Sequence, residues 1–282
     1  MTAKIIDGKK IADKIINDIK SKIKNSKEKP GLALVLIGNN PASEIYVGSK
    51  EKMSKEVGFY CERYDLDKNV GELDLVNLLN DLNRKTNIHG ILVQLPLPKQ
   101  IDEKLIINSI LPHKDVDGFT PINLGSLVSE NTILAPATAR AVMHLIESTG
   151  TKIEGKNAVV VGRSNIVGKP VAMMLLEKNA TVTICHSKTK NLAEHTRKAD
   201  ILIVAVGKPK LITKNMVKQD AVVIDVGINR VDGKIVGDVD FENVKEVAGF
   251  ITPVPGGVGP MTIAMLMENT LKAMELSQQI LK

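Results

Sequence analysis

The sequence predicts an α/β protein of two domains, because apolar segments with strand character alternate with segments of helical periodicity in two successive series. The first series contains the unbroken apolar run at 32–37, and the second begins with another at 157–161. A stretch punctuated by prolines separates them. Alternation of this kind is typical of parallel sheets, so we expect one in each domain.

The first domain is predicted to begin with a helix, since isoleucines recur at helical spacing between lysines within residues 1–25. The run at 32–37 ends at a turn of Gly, Asn and Pro, which favours a buried strand. Further helices are expected at 43–57 and 72–85, and further strands at 60–64 and 90–95. The Pro-rich segment 96–134 is predicted to be irregular.

A helix is predicted at 138–148, close to the domain boundary, and the second domain is predicted to be a doubly wound unit. Its expected strands are 157–161, 181–185, 201–205 and 221–226, and its expected helices are 167–178, 191–197 and a short one near 213–217. A Pro- and Gly-rich loop at 252–260 precedes a last helix, 261–280, which we expect to pack on the first domain. The predicted domains are therefore 1–135 completed by 261–282, and 136–260.

Composition disfavours several classes of function. A net charge of +6, spread over 38 basic and 32 acidic residues, with no Trp, three Tyr and four Phe, lacks the basic stripe and stacking aromatics of nucleic-acid binding. No apolar run reaches the roughly 20 residues of a membrane span. The cysteines, Cys61 and Cys185, are isolated, which disfavours disulfides and thiolate metal sites. We expect a soluble, cytoplasmic protein without a bound metal.

Residues 157–170 have the order strand, tight turn and helix start that directs backbone N–H groups at a pyrophosphate. Gly162 is expected to form the turn and Gly168 to allow close approach. Ser164 replaces the usual second glycine, and the last glycine is one position late. Taken alone, the motif equally fits a structural turn, but its place at the first turn of the series favours a dinucleotide.

The end of the next strand favours NADP over NAD. An NAD site usually has Asp or Glu there, whereas this chain has Cys185-His-Ser-Lys-Thr189. Ser187, Lys188 and Arg163 are candidate ligands of a 2′-phosphate, although the two cations also fit ordinary solvated charges. Asp225 ends the last predicted strand, where it either lies near the nicotinamide or caps a turn with Gly227.

Four polar residues, in three segments of the first domain, are candidates for catalysis. Tyr46 and Lys50 are four residues apart and share a helix face. Gln94 interrupts an apolar run at the carboxyl end of a predicted strand, where open sheets bind ligands. Asp117 ends a Pro-rich loop, either as an Asx-turn residue or as an acceptor for substrate.

The chain resembles the bifunctional methylenetetrahydrofolate dehydrogenase/cyclohydrolase family over nearly its whole length. The resemblance rests on five segments in order, which are Tyr46-Val-Gly-Ser-Lys50, Val93-Gln-Leu-Pro-Leu-Pro98, Lys114-Asp-Val-Asp-Gly-Phe119, Gly162-Arg-Ser-Asn-Ile-Val-Gly168 and Pro253-Val-Pro-Gly-Gly-Val-Gly-Pro-Met-Thr262. It implies NADP-dependent oxidation of 5,10-methylenetetrahydrofolate, hydrolysis of the methenyl product to 10-formyltetrahydrofolate, and a homodimer.

The resemblance also implies the site residues. Catalysis is expected from Lys50, Tyr46, Gln94 and Asp117, and the folate is expected in a cleft between the domains that also involves Leu95, Pro255, Gly256 and Gly257. Thr262 is expected at the same cleft and is assigned to the cofactor. The other residues implied for the cofactor are Gly162, Arg163, Ser164, Ile166, Val167, His186, Ser187, Lys188, Gly207, Asp225, Gly227 and Ile228.

One segment departs from the family pattern. Many relatives have Pro-Cys-Thr-Pro where this chain has Pro136-Ala-Thr-Ala-Arg140, which leaves the role of Thr138 open. Two other functions therefore stay in view. One is a different two-domain NADP dehydrogenase, acting on a shikimate-like hydroxy acid. The other is a catalytically silent folate- or NADP-binding protein.

Overall fold

The protein, described as a computed structural model over residues 2–24, 26 and 28–280, divides into two compact units. The small-sheet unit comprises residues 14–137 and 263–282, and the large-sheet unit comprises residues 1–13 and 138–262. The predicted grouping of 1–135 differs from this division at its start. Residues 1–13 belong to the large-sheet unit because the strand Lys4–Ile5 pairs with Phe250–Ile251.

The small-sheet unit is built around a parallel sheet in the order β3-β2-β4. Its elements are β2 (Gly31–Ile37), α2 (Pro41–Val57), β3 (Tyr60–Leu66), α3 (Glu72–Arg84), β4 (Gly90–Val93), α4 (Glu103–Asn108) and α5 (Pro121–Val128). It also receives parts of α1 (Gly8–Lys24) and of the last helix, α10 (Val258–Ile280). Every residue of β2 is buried, as its unbroken apolar sequence predicts for a central parallel strand.

Helix α3 covers one face of this sheet. Its apolar residues recur three and four positions apart, so one stripe of the helix faces the strands. Leu75, Leu79 and Leu82 are fully buried in one cluster with alternate residues of β2, whose side chains point to that face. Burial of this stripe fixes α3 against the sheet.

The large-sheet unit contains a parallel sheet in the order β1-β11-β8-β7-β5-β6. Its strands are β1 (Lys4–Ile5), β5 (Asn157–Val161), β6 (Thr181–Cys185), β7 (Ile201–Val204), β8 (Val222–Asp225) and β11 (Phe250–Ile251). An antiparallel hairpin, β9 (Asn229–Val231) and β10 (Lys234–Val236), follows β8. The helices are α6 (Ala137–Glu147), α7 (Gly168–Glu177), α8 (Leu192–Thr196) and α9 (Phe241–Val244), with a 3₁₀ turn at Lys214–Met216.

The predicted α/β class with a parallel sheet in each part is confirmed, whereas the prediction of an irregular 96–134 is wrong. That segment contains α4 and α5, and each begins at a side-chain cap. Asp102 accepts from the N–H of Lys104 at 2.8 Å, and Thr120 caps α5 ahead of Pro121. These helices are too short for their periodicity to be clear in the sequence. Among the helices of the described residues, we find none long and apolar enough to cross a membrane.

Two leucines of α3 test how far burial stabilises the small-sheet unit. We expect Leu79→Ala to lower the free energy of unfolding by about 2–5 kcal/mol, because it leaves a cavity at a fully buried position. Leu73→Ala, on the same helix at 71% exposure, should change it by about 0.5 kcal/mol or less. Urea titration measures both, and equal losses would contradict the packing described for α3.

Candidate active site

In the small-sheet unit, Lys50 and Gln94 meet through a hydrogen bond. Helix α2 begins at the cap Asn40, whose side chain accepts from the N–H groups of Ala42 and Ser43, and it carries Lys50 in its third turn. Gln94 directly follows β4, and its N–H donates to the carbonyl of Val35 at 2.8 Å. The Lys50 Nζ donates to the Gln94 Oε1 at 3.0 Å.

The orientation of the Gln94 amide follows from its second contact. The Nε2 group donates to the carbonyl of Leu95 at 2.6 Å, so the Oε1 atom is the end that faces Lys50. An acceptor at that position holds the Lys50 amine whether it is charged or neutral, because both forms carry N–H donors. Gln94 therefore fixes the position of Nζ without requiring a charge there.

Lys50 and Asp117 each influence the protonation of the other. Burial lowers the pKa of Lys50 from its usual value, and the negative charge of Asp117 partly opposes that shift. Burial raises the pKa of Asp117 to about 6, against the opposing charge of Lys50, and Asp115 adds to the rise. The arrangement therefore provides an amine that loses its proton more readily than an exposed lysine, beside a carboxylate that is mostly ionised near pH 7.

Asp115 holds the loop that carries Asp117. This buried carboxylate accepts from the N–H of Gly118 at 3.0 Å, the N–H of Thr120 at 2.7 Å and the Nδ2 of Asn123 at 2.9 Å. The turn-forming role that the sequence offered as an alternative for Asp117 therefore belongs to Asp115. The sequence signal is the Asp-x-x-Gly spacing, in which a side chain bonds to the backbone three residues on.

Two further buried residues secure this loop, and the sequence analysis assigned neither. The Asn269 Nδ2, on α10, donates to the carbonyls of Val116 at 2.8 Å and Ala135 at 2.9 Å. The Lys114 ammonium donates to the carbonyls of Leu82 and Lys85 at the end of α3, at 3.2 and 2.7 Å. The partners in both contacts are far apart in the sequence, so no local motif predicts these hydrogen bonds.

Tyr46 lies one turn before Lys50 on α2 and is 40% exposed. Because residues four apart share a helix face, Tyr46 presents its ring on the side of α2 that carries Lys50. Of the residues predicted for catalysis, Lys50 is therefore joined to Gln94 by a hydrogen bond and interacts with the charge of Asp117. Tyr46 lies one turn from Lys50 on α2.

In the large-sheet unit, the turn from β5 to α7 needs both of its glycines. Gly162 has a positive φ of 133°, and a Cβ there would overlap the carbonyl of Ala205. A Cβ on Gly168 would overlap the carbonyl of Gly162. Ser164 stands in place of a glycine, and its Oγ accepts from the N–H groups of Val167, the residue before α7, and of Gly168 at 3.2 and 3.3 Å.

A cavity of about 380 Å³ opens at the carboxyl ends of β5, β6 and β7. This is the edge at which parallel sheets of this class bind nucleotides. Among the residues predicted for the cofactor, Gly162, Arg163, His186 and Ser187 line it. Its remaining walls come from Val161, Thr189, Leu192, Ala205, Val206, Lys208 and Leu211, which the sequence analysis did not assign.

The other residues predicted for the cofactor do not line this cavity. They are Ser164, Ile166, Val167, Lys188, Gly207, Asp225, Gly227, Ile228 and Thr262. Lys188 is exposed, and its N–H donates to the Nδ1 of His186 at 3.1 Å. The Thr262 Oγ1 donates to the carbonyl of Val258 at 3.1 Å, within α10. A cation that lines the cavity, Lys208, follows the next strand, β7, instead.

Asp225 forms a turn, which is the second of the two roles considered for it. Its buried carboxylate accepts from the N–H groups of Gly227 and Asp238, both at 3.0 Å, and of Val239 at 2.9 Å. Burial raises its pKa to about 6, these N–H groups oppose the rise, and the nearby Asp238 carboxylate adds to it. With both oxygens engaged by backbone, Asp225 organises the chain after β8.

The loop with the predicted folate residues Pro255, Gly256 and Gly257 belongs to the large-sheet unit. The carbonyl of Gly256 accepts from the N–H of Lys9 at 3.1 Å. A Cβ on Gly8 would overlap the carbonyl of Gly257, so the chain approaches closely at the start of α1. The loop is therefore held by the N-terminal segment of the same unit.

Comparison with known proteins gives matches over the whole chain. The family model described as tetrahydrofolate dehydrogenase/cyclohydrolase, catalytic domain, matches residues 6–117, and that described as the NAD(P)-binding domain matches 136–278. The bifunctional protein FolD of Nitrosospira multiformis is 55% identical over 279 residues, covering 98% of this chain and 97% of that protein.

Solved structures agree with these matches. The bifunctional FolD methylenetetrahydrofolate dehydrogenase/cyclohydrolase of Campylobacter jejuni superposes with a TM-score of 0.95 at 49% identity, covering 97% of this chain and 99% of that one. The Trypanosoma brucei N5,N10-methylenetetrahydrofolate dehydrogenase-cyclohydrolase, complexed with NADP cofactor and inhibitor, gives 0.94 at 38% identity, with 99% of each chain covered.

The raised pKa of Asp117 predicts a pH dependence of stability. Since its pKa is about 6 when folded and 3.8 when unfolded, its contribution is complete below pH 3.8 and is lost as pH rises through 6. The side-chain amide of Asp117→Asn does not ionise, so the stability of this variant should not fall in this way. We expect its free energy of unfolding, relative to that of the parent, to rise by about 1–2 kcal/mol between pH 4 and 7. Urea unfolding at each pH measures the difference. The exposed Asp13→Asn is the control, and a constant difference for Asp117→Asn would refute the assignment.

Proposed function

The chain belongs to the tetrahydrofolate dehydrogenase/cyclohydrolase family, and we propose that it oxidises 5,10-methylenetetrahydrofolate with NADP and hydrolyses the methenyl product to 10-formyltetrahydrofolate. The observation that carries this proposal is the Lys50 amine, bound to Gln94 at 3.0 Å and with its pKa lowered by burial. The same small-sheet unit provides Tyr46 and Asp117 around it.

The hydrolytic step needs a group that takes a proton from water. The methenyl carbon carries positive charge, so a protonated lysine would repel it, whereas a neutral amine does not. With its pKa lowered, Lys50 accepts the proton of the attacking water and returns a proton to the ring nitrogen that departs. Because its N–H donates to Gln94, the nitrogen lone pair is left to point away from the amide and toward the water.

Asp117 is proposed to hold the pterin. A carboxylate with a pKa of about 6 is mostly ionised at pH 7, so it accepts two parallel hydrogen bonds from the amide N–H and the exocyclic amine. Asp115 keeps the loop in place, which leaves the Asp117 oxygens for the substrate. Tyr46 is proposed to lie against the folate and to orient Lys50, with Leu95 as a further contact. The folate contacts that the family resemblance implies for Pro255, Gly256 and Gly257 stay predictions.

The large-sheet unit fits a dinucleotide. A side chain at Gly162 or Gly168 would overlap the carbonyl of Ala205 or of Gly162, so the two glycines allow the tight turn from β5 to α7. A helix that starts directly after such a turn favours an anionic pyrophosphate at its N-terminus. NADP supplies the acceptor for the hydride of the methylene bridge. Val161, Leu192 and Leu211 give the cavity an apolar wall that excludes water from the bound nucleotide.

NADP is favoured over NAD by the charges around the cavity. Arg163 and Lys208 are among its lining residues, and no carboxylate occurs among the described residues that line it. An acidic side chain would accept from the ribose hydroxyls of NAD, whereas cations bind the 2′-phosphate of NADP. We assign that phosphate to Arg163, Ser187 and Lys208, which line the cavity, in preference to the exposed Lys188, which is not among the lining residues.

The alternatives raised by the sequence lose their support. A shikimate-type dehydrogenase does not account for the match of the whole chain to folate enzymes. A silent binding protein does not account for the buried Lys50 amine and its bond to Gln94. The residues Ala137, Ala139 and Ala141 of the departing segment are buried in α6, which fits an effect of the departure on packing.

A cytoplasmic homodimer completes the proposal. The family resemblance supports the dimer, and β6 offers an edge for pairing, since it is the last strand of the large sheet and Thr181 and Thr183 on it are exposed. The free thiols of Cys61 and Cys185 suit a reducing compartment.

Lys50→Met tests the reaction. We expect the parent to reduce NADP with little accumulation of methenyltetrahydrofolate, because Lys50 removes it by hydrolysis. The variant should hydrolyse methenyltetrahydrofolate about 100-fold more slowly or worse, since a positioned base contributes about that much or more. Absorbance at separate wavelengths follows the reduced nucleotide and the methenyl product. Lys52→Met, which removes an exposed lysine of the same helix, should keep parental rates.

Two results would contradict the proposal. Hydrolysis at the parental rate by Lys50→Met would remove the base from its role. A parent that reduces neither NADP nor NAD would sink the dehydrogenase assignment and restore the silent binding protein.

Arg163→Ala tests the nucleotide preference. Loss of a charged hydrogen bond to the 2′-phosphate should raise the KM for NADP about 10-fold or more, while the KM for NAD stays near its parental value. Lys188→Ala should change either KM by about twofold at most, because Lys188 lies outside the cavity lining. Steady-state kinetics of the parent and both variants measures KM for each nucleotide. A larger effect from Lys188→Ala than from Arg163→Ala would reverse the assignment.

A further inference from the structure

A fully buried carboxylate, Asp238, accepts hydrogen bonds from the backbone of the segment after β7. It accepts from the consecutive N–H groups of Val206 at 2.7 Å, Gly207 at 2.9 Å and Lys208 at 2.8 Å. The Nδ2 of Asn229, at the start of β9, donates to the same carboxylate at 2.9 Å. One side chain thus holds three successive peptide groups.

Asp238 is itself held by Asp225. The N–H of Asp238 donates to the Asp225 Oδ1 at 3.0 Å, and the N–H of Val239 donates to the Oδ2 at 2.9 Å. Asp225 is the last residue of β8 and pairs with Val204, the last residue of β7. The two carboxylates therefore connect the end of β8 to the segment that follows β7.

Glycines allow the two carboxylates to approach the backbone this closely. A Cβ on Gly227 would overlap the carboxylate of Asp238, and a Cβ on Gly237 would overlap the carboxylate of Asp225. Asp238 therefore packs against Gly227, which lies two residues after Asp225, and Asp225 packs against Gly237, which directly precedes Asp238. The pair is an interlocked arrangement and not two surface charges, since both side chains are buried.

The segment held by Asp238 forms a wall of the nucleotide cavity. Val206 and Lys208 line that cavity, and Gly207 between them has a positive φ of 65°. Successive N–H groups in such a turn form a concavity that commonly binds an anion. Here a protein carboxylate fills it, so these N–H groups are not available to a nucleotide phosphate. Their bonds instead fix the position of the wall.

We propose that Asp238, held in place by Asp225, is a positioning residue that sets nucleotide affinity by fixing the Val206–Lys208 wall of the cavity. It acts through the backbone and does not touch the nucleotide. The identity of the nucleotide rests on the function proposed above, whereas the positioning of the wall follows from the hydrogen bonds alone.

Asp238→Asn tests the role of the carboxylate. An amide keeps one acceptor oxygen and turns an NH₂ group toward backbone donors, so the wall loses bonds. We expect the dissociation constant for NADP, measured calorimetrically on the full chain, to rise about 10-fold or more. Hydrolysis of methenyltetrahydrofolate without nucleotide should stay within about twofold of the parent. Asp240→Asn, two residues on, is the control, because its described side-chain contact is with Asn243.

Hydrogen exchange supplies a reading that needs no ligand. The amides of Val206, Gly207 and Lys208 should exchange faster in Asp238→Asn and at the parental rate in Asp240→Asn. If Asp238→Asn does not fold, Asn229→Ala replaces it, since it removes one bond to the carboxylate from a half-buried position. We expect that variant to weaken NADP binding about threefold.

The outcomes separate this inference from the proposed function. Unchanged NADP affinity in a folded Asp238→Asn, or in Asn229→Ala if the first variant does not fold, overturns the positioning role. Equal loss of nucleotide binding and of methenyl hydrolysis also overturns it, because that pattern reports general destabilisation. A parent that binds NADP but does not oxidise methylenetetrahydrofolate removes the proposed function and leaves the positioning role supported by the same titration.

Discussion

The chemistry of the small-sheet unit depends on keeping the Lys50 amine out of water. Burial favours the neutral amine, and the Asp117 carboxylate favours the charged one, so the two side chains titrate as a coupled pair. The cost of burying a cation lowers the pKa of Lys50, which makes its neutral, basic form easier to reach than that of an exposed lysine. Gln94 contributes an acceptor that suits both protonation states and therefore holds Nζ through a proton transfer.

Buried aspartates that grip backbone recur in both units. The Asp115 carboxylate accepts from the N–H groups of Gly118 and Thr120 in the loop that carries Asp117. The Asp238 carboxylate accepts from the N–H groups of the segment from Val206 to Lys208. Loops that leave a sheet lose their ladder partners, and a carboxylate with several lone pairs satisfies many N–H groups at once. In each case the loop held by these hydrogen bonds carries a residue of the candidate site, Asp117 or Lys208. The structural carboxylate therefore stabilises the position of that residue.

The elements that the sequence predicted well are those with strong periodicity and continuous burial. The strand at 157–161 and the helix from 43–57, for example, appear with bounds that differ by at most two residues from those expected. The elements it missed are short. The strands β1 and β11 are two residues each and pair with one another across most of the chain, a contact that local pattern does not encode. The sequence signals of helices α4 and α5 are their N-cap residues, since neither helix is long enough to show an apolar stripe.

The sequence by itself determined the alternating α/β organisation and the glycine turn after β5, because each lies in a local pattern with a physical meaning. It also predicted Tyr46, Lys50, Gln94 and Asp117 as candidates for catalysis. Only the tertiary structure decided which aspartates are structural. Asp115 and Asp117, or Asp225 and Asp238, look alike in sequence, and their roles depend on which backbone N–H groups the fold brings within hydrogen-bond distance. Likewise, the ends of both β6 and β7 reach the cavity, and only the structure shows that Lys208 is among its lining residues while the exposed Lys188 is not.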